Sequence, residues 1–381
     1  MSPTPVTFVS PTAPSTYSWE ATDDEVAERY GVDRGSIVRF DLNTSPAPPE
    51  LALRILAGGR FDTSLSEYPP SDYRRLVAAA ATRYGVTPAE LLVGAGADEI
   101  LDLVAKAFLR PGDRAVVPVP TYAMYRVLTE QRGAEVVAVP RLGRAQGWAL
   151  DLDAVRTAAA DAAVVWLCSP NNPTALPEPD GAIERLLEGL AADAARDGRP
   201  APLVVLDEAY AEFVGRSLVG LRTAYPNLVT VRTASKAYAL AGLRVGFAIA
   251  DPAVIERLNP YRPPGSVSTV SVTVVADALA DDTILDANLE RVRVERERLT
   301  AGLTGAGWAV GPSVTNFVLV DLGSPERAAA ATEGLLCRGL VPRTFPAGHP
   351  LAGFLRLTVR AAPENDRIIQ AATEIARETS A

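Results

Sequence analysis

The sequence predicts an α/β protein: a mostly parallel sheet covered by helices, joined to a smaller α+β unit. Three observations predict it. Short apolar runs alternate with helical stretches from about residue 71 to about residue 275. A length of 381 residues exceeds what one hydrophobic core organises and favours two domains. After a long charged amphipathic stretch near 284–303 the pattern changes to short strands and one last helix. The expected division is an N-terminal arm over 1–45 that joins the small domain, a large domain over 46–275 and a small C-terminal domain over 276–381.

The arm is rich in Pro and Ser, turns amphipathic over 24–30 and leads into Ile37-Val38-Arg39-Phe40-Asp41-Leu42-Asn43. Residues 72–84 read as a helix with Leu76, Ala80 and Tyr84 on one face. A strand over 91–93 runs into Gly94-Ala95-Gly96-Ala97-Asp98 and then a helix carrying Ile100, Leu101, Val104 and Phe108 at helical spacing. Further strands are expected at 114–117, 134–139, 163–167, 203–206, 227–231 and 246–249. The first should stop before Pro118, which has no amide hydrogen for a ladder. A helix is expected over 182–195. The small unit has strands near 308–310, 316–320 and 355–359 and a helix over 364–378. The chain contains no internal repeat.

Composition narrows the function. Hydrophobic content of 48% and charged content of 22% are ordinary for a globular protein. A formal net charge of −9 argues against nucleic-acid or anionic-membrane partners. No run approaches the roughly 18 apolar residues of a membrane span. Met1-Ser2-Pro3-Thr4-Pro5 puts no basic residue before an apolar stretch and does not read as a secretory signal. Cys168 and Cys337 are the only cysteines, too few for a disulfide framework, which fits a cytoplasmic setting. His349 is the only histidine and sits in a Gly-His-Pro loop. No His-rich metal site is expected, so catalysis must use lysine, tyrosine, carboxylates or a cofactor.

The chemistry gathers around Lys236, in Thr-Ala-Ser-Lys-Ala-Tyr-Ala-Leu-Ala-Gly-Leu-Arg-Val-Gly over 233–246. Asp207 and Tyr210 lie 29 and 26 residues earlier, at the end of the apolar run Leu203-Val204-Val205-Leu206. A lysine, an aspartate and a tyrosine on one rim of a parallel sheet are what pyridoxal phosphate (PLP) needs: an amine to bind its aldehyde and an acid to keep its ring nitrogen protonated. Each residue also has an ordinary reading. Lys236 alone reads as a surface charge, Asp207 as a helix cap and Tyr210 as a packed aromatic.

Other strand ends add to the set. Gly94–Asp98 can offer an anion a helix N-terminus, or form a plain turn capped by Asp98. Tyr122, after Pro118-Val119-Pro120-Thr121, can stack on a flat ring or simply pack. Ser169-Pro170-Asn171-Asn172-Pro173-Thr174 puts an amide over the sheet's rim or makes only a turn. Ser235 and Arg244 suit a phosphate, though an arginine in an apolar segment also makes structural ion pairs. Five motifs in one chain order, each matching a different edge of PLP, outweigh the separate readings.

At these residues the chain resembles the fold-type I PLP aminotransferases, and is most similar there to the histidinol-phosphate aminotransferase family. The resemblance runs from about Phe40 to the C-terminus and is most specific in the 233–246 segment, Asp-Glu-Ala-Tyr (207–210) and Pro-Asn-Asn-Pro-Thr (170–174). It implies the PLP-transferase fold type I and a place in amino-acid, notably histidine, biosynthesis. By resemblance, Lys236 would form the Schiff base and shuttle protons, and Asp207 would pair with the ring nitrogen. Tyr210 and Asn172 would hold the ring oxygen, and Tyr122 would stack on the ring. Ala97, Asp98, Ser235 and Arg244 would bind the phosphate. Tyr68 resembles a tyrosine that reaches the phosphate across a homodimer with shared active sites. Arg356 resembles the arginine anchoring the substrate's acidic group, and Arg343 a second arginine near it.

Three positions depart from the family pattern: Ala175 and Arg360 stand where glycine is usual, and the N-terminal Asn-Pro reads Ser45-Pro46. None belongs to the cofactor set. The expected reaction is amino transfer from histidinol phosphate or an aromatic amino acid to 2-oxoglutarate. The alternatives are a decarboxylase of the threonine-phosphate type and a PLP-binding module without turnover. Tyr17 and Trp19 on the arm either cover a substrate ring or pack on the surface.

Overall fold

The structure is a computed structural model that describes residues 15–378. The first fourteen residues of the expected arm, including the stretch read as lacking a secretory signal, lie outside the described residues. The strands are β1 (Val38–Arg39), β2 (Leu91–Gly94), β3 (Arg114–Val119), β4 (Glu135–Pro140), β5 (Ala162–Cys168), β6 (Leu203–Asp207), β7 (Leu228–Thr233), β8 (Gly246–Ala250), β9 (Ala309–Val310), β10 (Phe317–Asp321), β11 (Leu340–Val341) and β12 (Phe354–Thr358). Seven of them form one sheet in the order β2-β8-β7-β6-β5-β3-β4. Strands β3 to β7 are mutually parallel, and β8 runs antiparallel to β2 and β7.

The strands read as continuous apolar runs because both faces of the sheet are covered. On β6, Leu203 and Val205 pack in one core with Ile100, Leu101 and Val104 of the helix Gly96–Phe108. Val204 and Leu206 point the other way, onto Ile183, Leu186 and Leu190 of the helix Ala182–Arg196. Alternation along the strand thus feeds two cores.

Strand β3 runs past its expected end and includes Pro118, opposite Val139 of β4. Pairing with β5 stops at Val116, so at Pro118 the strand has a neighbour on one side only. A missing amide hydrogen is tolerated there.

The smaller unit has an antiparallel sheet in the order β12-β10-β9. Within the 37–43 segment, β1 pairs in parallel with β11. Val38 and Phe40 pack in this unit's core with Leu299, Leu335 and Leu355. The helix Asp282–Gly305 serves both units: Leu285 packs in the large unit, Leu299 and Leu303 in the small one. Val275, near the expected domain boundary, lies inside the helix Thr269–Leu279, which packs in the large unit through Leu279. Among the described residues no helix is long and apolar enough to cross a membrane. His349 has a local role: it stacks on Phe345 at 5.0 Å, and its Nδ1 accepts the Leu351 amide at 3.1 Å.

Candidate active site

A cavity of about 550 Å³ opens where β5, β6 and β7 end. Carboxyl ends of parallel strands are where open α/β sheets hold ligands. Asp207 closes β6, opposite Cys168 on β5 and Val231 on β7, and Lys236 follows three residues after β7. All three of Lys236, Asp207 and Tyr210 line the cavity.

Asp207 is 4% exposed. The Tyr125 phenol donates to its Oδ2 at 2.7 Å and the Ala209 amide to its Oδ1 at 3.0 Å. Both donors are neutral. Burial pushes the carboxyl up to about 6 despite these bonds. A buried carboxylate of this kind is short of a cationic partner. Lys236 Nζ donates to the Asn43 carbonyl at 3.2 Å and lies 5.9 Å from the centroid of the Tyr210 ring. Burial, reinforced by the nearby Arg356 cation, holds the amine down to about 8. Burial also raises the Tyr210 phenol above its usual range. Its oxygen accepts from Asn43 Nδ2 at 3.0 Å.

The helix Gly96–Phe108 starts at the cavity wall, where Ala97 and Asp98 line it. The first amides of a helix have no partner within it and suit an anion. Asp98 is not the cap: Ala95 holds that position without a side-chain bond. The Asp98 carboxylate instead takes the Tyr122 hydroxyl at 2.9 Å and pairs with Arg244 at 3.2 Å. Gly96 sits at φ 85°, and a Cβ there would come within 2.5 Å of Arg244 Nη2. At Gly246 a Cβ would lie 2.4 Å from the Gly96 carbonyl carbon, so β8 approaches this turn only as glycine. Thr233 Oγ1 donates to Ser235 Oγ at 2.9 Å beside the same cavity.

Arg356, 6% exposed on β12, faces the opposite wall. It donates to Asn172 Oδ1 at 2.6 Å and to the Asp41 carbonyl, and its guanidinium lies 5.4 Å from the Phe317 ring centroid. Its buried Nε has no partner among the described residues. Arg343 also lines the cavity but is engaged by the arm. It donates to the Ser18 carbonyl at 2.6 Å, faces Glu20 at 3.6 Å and lies 5.2 Å from the Tyr17 ring centroid.

Glu20 in turn accepts the amide and hydroxyl of Thr344. Tyr17 and Trp19 meet edge to face at 4.8 Å and both line the cavity, with Tyr17 at 6.2 Å from Tyr122.

Three other residues lie outside. Tyr68 is 90% exposed and does not line this cavity. Arg360 turns to Glu364 at 2.7 Å. Ala175 adopts a left-handed φ of 64° and packs in a small core with Tyr210 and Phe317.

Sequence reasoning missed Asn43 and Tyr125. Asn43 lies at the end of a short strand run, 193 residues from the lysine it touches. Tyr125 reads as an ordinary helix aromatic. The one local signal is Asn43 itself, a residue that tolerates the φ of 53° it adopts.

The buried acid short of a cation, the amine with a lowered pKa and the anion cradle at Gly96 together fit pyridoxal phosphate. Fold and site define a PLP-dependent aminotransferase. The chain matches the family "Aminotransferase class I and II" over residues 49–375 and belongs to it. Among curated relatives, the histidinol-phosphate aminotransferase of Roseiflexus castenholzii is 37% identical over 366 residues, covering 93% of each chain. That of Thermococcus gammatolerans is 37% identical over 350 residues, covering 91% of this chain and 94% of that one. Among solved structures, histidinol-phosphate aminotransferase from Sinorhizobium meliloti in complex with pyridoxal-5'-phosphate is 26% identical with a TM-score of 0.82, covering 94% of this chain and 95% of that one. Aspartate aminotransferase from Thermus thermophilus with maleate is 25% identical with a TM-score of 0.74, covering 93% and 95%. The enzyme catalyses PLP-dependent transamination, and a decarboxylase is not favoured.

Proposed function

We propose that the enzyme moves the amino group of histidinol phosphate to 2-oxoglutarate, and so serves histidine biosynthesis. The observation that carries this reading is Arg356: a buried guanidinium on the cavity wall whose Nε has no partner among the described residues, suited to an anionic substrate group. The names of the relatives support histidinol phosphate as that substrate. An aromatic amino acid is the second reading. Arg343 is already held by Ser18 and Glu20, which leaves Arg356 to meet a carboxylate, with the Tyr17 ring nearby.

Bound PLP supplies an electron sink for the carbanion left when a substrate Cα loses its proton. Lys236 would hold the cofactor covalently and, once released, take that proton; an amine held down to about 8 is partly neutral near neutral pH. Asp207 would accept the ring N–H that its buried carboxylate lacks. Asn172 and Tyr210 would hold the ring oxygen, and Tyr122 would lie against the ring. Ala97 and Asp98, through their amides, with Ser235 and Arg244 would hold the phosphate.

We further propose a cytoplasmic homodimer in which Tyr68 reaches the partner's phosphate site. The high exposure of Tyr68, Leu65 and Leu53 supports an apolar contact surface. The separate apolar cores support a large and a small domain, with the helix Asp282–Gly305 as the link.

A panel of amino donors against 2-oxoglutarate tests the reaction. Histidinol phosphate should give the highest kcat/KM, ahead of phenylalanine and threonine phosphate. A preference for phenylalanine would establish the second reading, and carbon dioxide release would overturn both.

A further inference from the structure

Tyr125 is the second residue of the helix Met124–Gln131 and is fully buried. Its ring lies parallel to Trp166 at 5.6 Å and edge-on to Tyr122 at 5.7 Å. Trp166 Nε1 donates to Thr129 Oγ1 at 3.1 Å, and that hydroxyl donates to the Tyr125 carbonyl at 2.7 Å. Ring and backbone are therefore both fixed, and the phenol is aimed at Asp207 Oδ2. The Ala209 amide occupies the other oxygen. Donors on both oxygens favour the ionised acid, whereas burial favours the neutral one.

The other titratable groups facing Asp207 are Asp98 from the helix Gly96–Phe108, Cys168 from β5, Tyr210 and Lys236. Cys168 points its thiol at the Pro170 carbonyl, 3.4 Å away.

We propose that Tyr125 is a positioning residue that keeps Asp207 ionised, so that the proton shared with the cofactor stays on the ring nitrogen. This rests on the reading of Asp207 as the partner of that nitrogen. Without the phenol, Asp207 becomes more basic and draws the proton to itself. The ring then carries less positive charge, and the Lys236 nitrogen bound to it keeps its own proton to higher pH.

The test follows the visible absorbance of the holoenzyme against pH. Tyr125→Phe retains the ring and its stacking. Its absorbance midpoint should rise by about half a pH unit or more. Its kcat should fall roughly tenfold, with the donor's KM within about twofold of the parent. Incorporating 3-fluorotyrosine at position 125, a stronger donor of similar size, should move the midpoint down and tests the same point should Tyr125→Phe fail to fold. Asp207→Asn is the control for the underlying reading. If it shifts the midpoint while both changes at position 125 leave it in place, the role of Tyr125 is wrong. If Asp207→Asn leaves it in place as well, Asp207 does not face the ring nitrogen.

Discussion

Lys236 Nζ and the Asn43 carbonyl lie 3.2 Å apart although 193 residues separate them. The same asparagine donates to the Tyr210 hydroxyl, and its carbonyl also accepts from Asn316 at 3.0 Å. Asn43 therefore ties the Lys236 amine, the Tyr210 phenol and the small unit together. Its left-handed φ of 53° aims both groups at once.

Asn43 is consequently hard to replace. Asn43→Gly keeps the backbone free and should cost about 1–3 kcal/mol through the lost bond to buried Tyr210. Asn43→Val adds a branched side chain in the left-handed region and should cost about 1–2 kcal/mol more. Urea unfolding of the two variants measures the difference. Equal stability would mean that the backbone at Asn43 carries no strain.

Lys236→Ala should abolish turnover, and Asp207→Ala should lower kcat roughly a hundredfold or more. Borohydride reduction of the holoenzyme should then leave pyridoxyl label on a single peptide, the one containing Lys236. Label elsewhere, or normal turnover by Lys236→Ala, would falsify the assignment.

The cofactor-free enzyme should show the cost of an unpaired buried acid. The folded pKa of Asp207 is raised to about 6 from 3.8, so between those values the folded state binds more protons than the unfolded one. Stability from this group is present at low pH and is lost as pH rises through 6. Asp207→Asn should therefore stabilise the cofactor-free protein by roughly 1–3 kcal/mol at pH 7.5. The gain should close as pH falls toward 4. A gain that did not depend on pH would point to packing instead.

The two cavity arginines should separate in kinetics. Arg356→Ala removes a buried anion partner and should raise the KM of anionic donors by about 10- to 100-fold. Arg343→Ala should remove the contacts that hold the arm at Ser18 and Glu20, so that limited proteolysis cuts within 15–22 faster than in the parent. Unchanged cleavage would show that the arm is fastened elsewhere, with Arg39, which donates to the Ala21 carbonyl at 2.6 Å, as the next candidate.

Most of this site was legible because it is built from strand ends. Asp207, Asn172 and Lys236 each follow an apolar run, so the sequence displays both the residue and its place on the rim. Asn43 and Tyr125 were not legible, because their value comes from what they touch across the fold rather than from local pattern. Arg343 was expected beside the substrate, and its hold on the arm was not legible because its partners, Ser18 and Glu20, lie more than 300 residues away. Pro118 misled because the rule against proline in a ladder depends on which neighbours a strand has, and β3 loses one of its two after Val116.

The β1–β11 pairing separates the recognisable family region from the unit that folds. The family match begins at residue 49, yet Val38 and Phe40 fill the core around β11. A gene trimmed to that match would leave β11 with a bare edge and a hollow the size of a phenyl ring behind it. Such a product should be recovered in inclusion bodies, and adding back residues 37–48 should restore soluble yield.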